Sequence, residues 1–337
     1  MKKQFYIILI LVLTFILLAT NVIAQTSAQE PEFNLVHASI NPDTHIESVV
    51  HEDFIERVER LSEGRIKYEY FPGSVLGDEP AMIEGLQIGA ISTARVGGGA
   101  LGAMIDGYIC SALPFLYSDP DHMFEVLRSP EFAAITEDEL REQGLRTLEF
   151  WWMGTRHLYT KEKIVRNTND LQGLKIRMPE IPIWVETWKY FGAIPTPISL
   201  GEVYGALQTG IIDGGEGWLA SYIARGFYEQ APYITMLNWA QSETIFLISE
   251  IIWQQLPPDL QDVMLQAARE NAEFAYEVFY TNELEIYDTC KEKGATITEV
   301  EDIEEWRKLV QPLYKRIGEE LGPEYAEFID FAISTRR

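Results

Sequence analysis

A short motif that occurs twice in this chain predicts a fold with two similar halves. The segment LQIGAIS at 86–92 returns as LQTGIID at 207–213. Each copy follows a helix-like stretch and places a glycine, Gly89 or Gly210, where the left-handed residue at the end of a helix belongs. Each copy then leads into a strand and a glycine-rich loop. The repeated order of helix, glycine, strand and loop predicts two similar α/β lobes.

The region before the first copy predicts a βαβ unit. The segments FNLVHASI at 33–40 and IKYEYFPG at 66–73 have the composition of short strands. Residues 43–62 between them have helical spacing. The apolar stripe of this predicted helix consists of Ile46, Val49, Val50, Phe54, Ile55, Val58 and Leu61. This unit would form part of the first lobe.

A long helix is predicted near the C-terminal end of the chain. It would follow the proline pair of PPD at 257–259, with Asp259 as the N-cap, and would stop at Gly294. At about 1.5 Å per residue it would span roughly 50 Å, which exceeds one small lobe. Unless it breaks near Asn271 or Asn282, it should run along both lobes. Two lobes joined in this way leave a cleft, where ligands commonly bind.

The N-terminus has the features of a secretory signal peptide. Lys2 and Lys3 precede an apolar run over 5–19, and small residues offer a cleavage site after Ala24. An uncleaved membrane anchor is the alternative. Cleavage would leave 313 residues outside the cytoplasm, enough for two domains with substantial cores.

The charge of the exported chain excludes some classes of partner. Without Lys2 and Lys3, 25 basic side chains stand against 52 acidic ones, a net charge of −27. Such a chain repels nucleic acid and anionic lipid. An anionic ligand would have to be attracted by a few placed groups and not by the overall field.

Export would permit a disulfide between the chain's two cysteines, Cys110 and Cys290. The apolar sequence around Cys110 favours a small buried side chain instead. We expect the two thiols to be unbridged, with the bridge as the alternative.

No motif for a metal, a cofactor or catalysis stands out. His37, His45 and His51 lack the spacing of a metal site, and no Ser/His/Asp set can be singled out. The glycine-rich segment at 96–102 has neither a dinucleotide nor a P-loop spacing. We interpret its glycines as room for a ligand or for a close backbone approach, and we expect no cofactor.

One arginine stands where a ligand is expected. In GLKIRMP at 173–179, apolar and charged residues alternate as in a strand, and Pro179 ends the pairing. Arg177 would then lie at the C-terminal end of the strand, where open α/β sheets bind ligands. A solvated surface arginine is the simpler interpretation of this residue by itself.

The tryptophans cluster between residues 150 and 240, and core packing explains most of them. Trp218 differs, because it follows Gly214, Gly215 and Gly217 at a predicted strand end. We expect it to line the cleft; a packed indole on the lobe surface is the alternative.

Five segments together resemble the solute-binding component of tripartite ATP-independent periplasmic (TRAP) transporters, the C4-dicarboxylate-binding-protein-like, DctP-type family. They are YFPGSVLGDEPAMIEGLQIGA, GTRHLYT, DLQGLKIRMP, IPTPISLGEVYGALQTGIIDGGEG and RGFYEQAPYI. The resemblance covers nearly the whole mature chain. It implies an α/β, two-lobe periplasmic-binding-protein fold that closes on a ligand, with a long helix spanning both lobes.

The resemblance also implies which residues bind the ligand. Arg177 matches the family's carboxylate-binding arginine, and a guanidinium can hold both carboxylate oxygens in a fixed fork. Arg156 matches a second arginine of the family, in its G-x-R segment. Glu79 matches the family's polar position after Leu-Gly, and His37 matches the residue that ends its first strand. The full predicted substrate-binding set is His37, Glu79, Gly97, Arg156, Arg177, Glu180, Gly217, Trp218 and Phe246.

Two features of the resemblance bear on the lobes and the ligand. The predicted first lobe comprises 31–153 and about 243–282, and the second comprises 154–242 and about 283–337. Where relatives often read DGQENP, this chain has DGGEGWL, so Gly217 replaces an asparagine and Trp218 follows. This departure predicts a different or bulkier ligand than theirs.

The predicted function is that of a periplasmic receptor. It would capture a small organic carboxylate, with a hydroxylated or sugar acid as the first candidate, and deliver it to the small and large membrane subunits of a TRAP permease. We expect a monomer that performs no chemistry. The alternatives are a secreted enzyme that uses Glu79 or His37 as a general base in the same cleft, and a sensor that docks on a receptor kinase.

Overall fold

The computed structural model describes residues 30–336, and the signal peptide predicted at 1–24 lies outside them. Strands β1–β9 run over Phe33–Ala38, Ile66–Phe71, Thr93–Gly97, Leu145–Thr160, Lys175–Met178, Ile194–Pro197, Gly214–Trp218, Tyr233–Ser249 and Thr296–Glu299. Helices α1–α14 run over Glu47–Leu61, Glu79–Gln87, Gly98–Leu101, Asp106–Ser111, Pro120–Leu127, Pro130–Ala134, Glu137–Glu142, Pro182–Tyr190, Val203–Thr209, Leu219–Ala224, Glu250–Gln255, Pro258–Glu292, Ile303–Leu321 and Pro323–Ser334.

The two halves of the sheet have the same topology. The strands lie in the order β2-β1-β3-β8-β4-β7-β5-β6, with β9 on β8. In the first lobe β1 pairs in parallel with β2 and β3, and β3 pairs antiparallel with β8. In the second lobe β5 pairs in parallel with β6 and β7, and β7 pairs antiparallel with β4. The repeated motif ends α2 and α9, and Gly89 and Gly210 both have φ +73°. The two similar lobes predicted from the repeat are confirmed.

Two long strands join the lobes. Strand β4 has 16 residues and β8 has 17, and they pair from Leu145↔Ser249 in the first lobe to Thr160↔Tyr233 in the second. Their register shifts between Trp152 and Thr155, and Gly154 there has φ +128°. The predicted lobe boundaries at 153/154 and 242/243 fall in this middle region and stay predictions. Helix α13 contacts α8 of the second lobe and α4 of the first, whereas α14 contacts α4 and α6 of the first lobe.

The long helix is confirmed as one uninterrupted element. Helix α12 has 35 residues and packs against α1 in the first lobe and against α10 and β9 in the second. Asn271 does not break it; this side chain is buried, and its Nδ2 donates to the backbone carbonyl of Val50 at 2.8 Å. The prediction that Asp259 caps the helix is wrong. Pro257 is the N-cap without a side-chain bond, and Asp259 pairs with Arg65 instead.

The inner face of α1 differs from the predicted apolar stripe. The helix begins at Glu47, four residues after the predicted start, and Val49 is 50% exposed. Its buried residues are Glu47, Ser48, Val50, His51, Phe54 and Val58. Polar side chains therefore occupy part of the inner face, because they belong to an ion-pair network below the cleft.

The cysteines are buried and unbridged, as expected. Burial raises the pKa of both the Cys110 and the Cys290 thiol to about 12. Each thiol therefore stays protonated and packs as a small apolar side chain.

Candidate ligand site between the lobes

Arg177 is a buried cation whose guanidinium pairs with no carboxylate among the described residues. It lies on β5 between Thr196 of β6 and Gly215 of β7, and it is 4% exposed. Its Nε donates to the backbone carbonyl of Ile198 at 2.8 Å. Within residues 30–336 no carboxylate lies within 4.0 Å of its guanidinium, and burial lowers its pKa. A buried charge without a counter-ion is costly, so its Nη groups are suited to an anionic ligand.

Gly215, which pairs with Arg177 on the neighbouring strand, lets the Tyr159 side chain approach the backbone closely. An added Cβ at Gly215 would lie 2.5 Å from the Tyr159 hydroxyl oxygen, so a larger residue would displace that ring. The glycines at the start of β7 thus allow the Tyr159 ring to pack closely against the strand.

Arg156, the second predicted arginine, is already paired. It lies on β4, and its Nε and Nη2 donate to the two carboxylate oxygens of Glu216 at 2.7 and 2.6 Å. Its guanidinium also stacks over Trp184, 4.5 Å from the ring centroid, and Trp239 Nε1 donates to Glu216 at 3.1 Å. The two bonds to Glu216 occupy Nε and Nη2. Nη1 can still donate a strong hydrogen bond, because its contact to Ser242 Oγ is 3.5 Å long.

Trp218 lies where the two lobes and the long helix meet. It is 9% exposed, and its ring packs 5.2 Å from His45 in the first lobe and 6.0 Å from Phe279 of α12. Gly217 before it faces Arg156, because an added Cβ would lie 3.9 Å from the Arg156 Nη2. Trp218 thus bridges the second lobe, the first lobe and α12.

Glu79 and Gly97 touch each other in the first lobe. Glu79 begins α2, and its Oε1 accepts from the Gly97 backbone N–H at 2.9 Å. Arg95 Nη1 approaches the same oxygen at 3.4 Å. The structure thus brings together two predicted site residues, and Arg95, which the sequence did not single out, holds them.

His37 lies beneath this group and is fully buried. Its Nδ1 is 2.8 Å from Thr93 Oγ1, and its Nε2 is 2.7 Å from His51 Nδ1. His51 Nε2 is in turn 3.1 Å from Glu47 Oε1. Burial, followed by the nearby His51, lowers the pKa of His37 well below its ordinary value. His37 therefore supports the polar network and has no exposed surface of its own.

Glu47 is the centre of the network and was not predicted. Burial alone would raise its pKa, but the Arg95 guanidinium, together with His51 and His45, holds it well below the ordinary value. Arg95 grips the carboxylate with Nε and with Nη2, the latter at 3.1 Å, and the Asn41 amide also donates to it. The available signal was the helical i, i+4 spacing of Glu47 and His51 on the face that carries Val50.

The remaining two predicted residues, Glu180 and Phe246, differ in burial. Glu180 is exposed just after β5. Phe246 is fully buried, with its ring 4.4 Å from Phe54 and 5.1 Å from Trp151. Ligand contact at either residue stays a prediction.

Several contacts cross between the lobes. Arg225 Nη2 donates to the Asn41 side-chain oxygen at 3.0 Å, and Trp184 Nε1 donates to the Ala112 carbonyl at 2.9 Å. An added Cβ on Gly99 would lie 2.5 Å from the Ile181 Cδ1. The glycine-rich segment thus serves a close approach of the lobes, and the two walls of the cleft are in contact.

The family of the chain follows from comparison with known proteins. Residues 37–321 match the model of the family described as bacterial extracellular solute-binding protein, family 7. The chain belongs to this family. The sialic acid-binding periplasmic protein SiaP of Vibrio cholerae is 30% identical to this solute-binding protein over 267 residues, 79% of this chain and 83% of that one.

Solved structures are similar over the same extent. A TRAP periplasmic solute-binding protein from Chromohalobacter salexigens with bound D-glucuronate has a TM-score of 0.85 at 26% identity, covering 88% of this chain and 98% of that one. The sugar acid binding protein DctPAm from Advenella mimigardefordensis, in complex with galactonate, has a TM-score of 0.84 at 26% identity, covering 90% and 99%. The predicted TRAP family and two-lobe fold are confirmed. Within residues 30–336, no helix of this solute-binding protein is long and apolar enough to cross a membrane.

Proposed function

We propose that this solute-binding protein captures a sugar acid between its lobes, outside the cytoplasm, and delivers it to the small and large membrane subunits of a TRAP permease. The observation that carries the proposal is Arg177, a guanidinium that is 4% exposed and has no carboxylate partner in the described part of the chain. A ligand carboxylate would supply that partner and accept two parallel hydrogen bonds.

The groups around Arg177 favour a ligand with hydroxyl groups. Tyr159 adds a hydroxyl near Arg177, and Glu79 contributes a carboxylate from the first lobe. Similar proteins hold D-glucuronate and galactonate, both of which carry one carboxylate and several hydroxyl groups. These ligands fit one cation surrounded by polar atoms.

No observation favours the secreted enzyme that would use His37 or Glu79 as a base. His37 has no exposed surface, and Glu79 is held by the Gly97 N–H and by Arg95. We therefore propose that the ligand leaves chemically unchanged. Mass spectrometry of ligand recovered after denaturation checks this, and a modified product would favour the enzyme.

A thermal-shift panel tests the proposal. D-galacturonate, D-glucuronate, D-galactonate and sialic acid are compared with D-galactose, which matches galacturonate but lacks the carboxylate. A binder at one hundred times its Kd stabilises the fold by about 2.7 kcal/mol, which is easily seen. We expect a shift with at least one sugar acid and none with galactose. Equal shifts with galacturonate and galactose, or no shift with any acid, would contradict the proposal.

A further inference from the structure

A second arginine at the cleft has unused hydrogen-bonding capacity. Arg225 directly follows α10, in the second lobe, and its Nη2 reaches across the lobes to the Asn41 side-chain oxygen at 3.0 Å. Its Nε is buried and has no hydrogen-bond partner within residues 30–336. A buried N–H without an acceptor is rare in folded proteins and calls for an explanation.

Arg225 likewise has no close carboxylate among the described residues, and Glu47 acts on it only at longer range. Within residues 30–336, three arginines that are not on the exposed surface lack a carboxylate within 4.0 Å, namely Arg177, Arg225 and Arg336. Arg336 lies near the C-terminus and donates to the Leu116 carbonyl and the Tyr314 hydroxyl. In a chain with 52 acidic residues, the other two unpaired cations lie at the cleft.

Arg225 and Arg177 lie close enough to each other to interact electrostatically. Burial is the main cause that lowers the pKa of Arg177, and the charge of Arg225 is among the further causes. Tyr159 interacts electrostatically with both guanidinium groups. A ligand held by Arg177 would therefore extend toward Arg225.

Asn41 does not compete for such a ligand. Its side-chain oxygen accepts from Arg225, and its amide donates to Glu47, which Arg95 also holds. At this junction the Arg225 Nε is a buried donor that still requires an acceptor oxygen.

Resting on the proposed function, we propose that Arg225 is a specificity-determining residue. Its Nε donates to a hydroxyl oxygen of the sugar acid, away from the carboxylate, while its Nη2 keeps the bond to Asn41. One guanidinium then joins the ligand to both lobes. Acids without a hydroxyl at that position leave the Nε unpaired and bind more weakly.

A thermodynamic cycle in which both Arg225 and a ligand hydroxyl are altered tests this inference. The affinities of wild type and Arg225→Lys are measured by titration calorimetry for D-galactonate and its monodeoxy derivatives at C3, C4, C5 and C6. Lysine keeps the charge but lacks the Nε donor and the planar fork. We expect the affinity for D-galactonate to fall at least tenfold in Arg225→Lys. One monodeoxy derivative should bind wild type more weakly than D-galactonate does, but it should bind Arg225→Lys as well as D-galactonate does.

Controls separate the possible failures. Arg336→Lys, which alters the unpaired arginine away from the cleft, should bind like wild type, and the melting temperature of ligand-free Arg225→Lys should stay near the wild-type value. If the loss of each hydroxyl lowers the affinity by the same factor in wild type and in Arg225→Lys, Arg225 does not touch a hydroxyl and the inference is overturned. If wild type binds no sugar acid in the panel above, the proposed function fails first.

Discussion

At the residue scale, the buried and half-buried guanidinium groups at the cleft are in different electrostatic situations. Arg95 grips Glu47 and Arg156 grips Glu216, so these pairs are compensated within the protein. In the described part of the chain, the Arg177 guanidinium donates to the Ile198 carbonyl and pairs with no carboxylate. Because an unpaired buried charge costs more than a paired one, Arg177 is the cation for which a ligand gains most.

Trp218 should report closure of the lobes. Its ring touches His45 across the cleft, so ligand-driven closure changes its surroundings. We expect Trp218→Phe to lose a large part of any fluorescence change that D-glucuronate or D-galactonate induces. Trp253→Phe is the matched control, since Trp253 packs on Arg146 in the first lobe, and it should keep the change. An undiminished signal in Trp218→Phe would remove Trp218 from the moving interface.

Glu243 should make the stability of the fold depend on pH. This glutamate accepts from Ser111 at 2.6 Å, and burial raises its pKa from 4.5 to about 7. The folded chain thus holds a proton that the unfolded chain releases near pH 4.5. The associated stability is full below pH 4.5 and is lost as the pH rises to about 7.

The variant Glu243→Gln, which is neutral at every pH, isolates this effect. Relative to wild type it should gain stability between pH 4.5 and 7, reaching up to about 3 kcal/mol at pH 8, and the difference should vanish at pH 4. Melting temperatures across this range provide the measurement. The exposed control Glu84→Gln should show no such trend. A constant difference for Glu243→Gln at all pH values would mean that Glu243 is ionised in the fold.

The sequence predicted the position of Arg177 but not its surroundings. Alternation in a short segment is a local signal, and it is sufficient to place an arginine at a strand end. Glu47 is 48 residues away from its partner Arg95 along the chain. Asn41 is 184 residues away from its partner Arg225. Such pairs depend on how the lobes fold together, so no local pattern indicates them.

At the element scale, the repeated βαβαβ unit explains why the two halves were predictable. In each half, the third strand follows a helix that ends in a glycine with left-handed backbone conformation. The helical spacing and the glycine can both be recognised in the sequence. The long strands β4 and β8 were not predicted. The run from Trp151 to Met153 in β4 is buried throughout, so the period of two that identifies a strand is absent there.

The long helix should depend on Asn271. Its Nδ2 donates to the Val50 carbonyl at 2.8 Å and to Asp53 Oδ2 at 2.9 Å, which ties α12 to α1. Asn271→Ala would leave a buried carbonyl unpaired and should lower the free energy of unfolding by about 1 to 3 kcal/mol. Denaturant unfolding measures this. Asn282→Ala, in the same helix, is the control and should change little; equal effects of the two variants would show that Asn271 contributes only helix propensity.

At the scale of the whole molecule, β4, β8 and α12 are the segments about which the lobes would move. A ligand closes the lobes only if it contacts the closed form better than the open one. Arg177 and Trp218 belong to the second lobe, and Asn41, Glu79 and His45 belong to the first. A ligand between them would therefore favour closure.

Solution scattering should detect this closure. The radius of gyration of a monomer should fall when a sugar acid binds, and it should stay at the ligand-free value in Arg177→Ala under the same conditions. A larger radius of gyration on binding, or the mass of a dimer, would contradict the proposed monomer that closes on its ligand.

Titration calorimetry on Arg177 variants tests the central claim most directly. With the sugar acid that binds wild type, Arg177→Ala should lose roughly 2 to 5 kcal/mol of binding free energy, because the ligand carboxylate would be buried without its partner. Arg177→Lys keeps the charge but loses the fork and should also bind more weakly. Both ligand-free variants should melt near the wild-type temperature, and Arg269→Ala, at an exposed position, should bind normally. Wild-type affinity in Arg177→Ala would contradict the account, and a collapse of the ligand-free fold would show that Arg177 is structural.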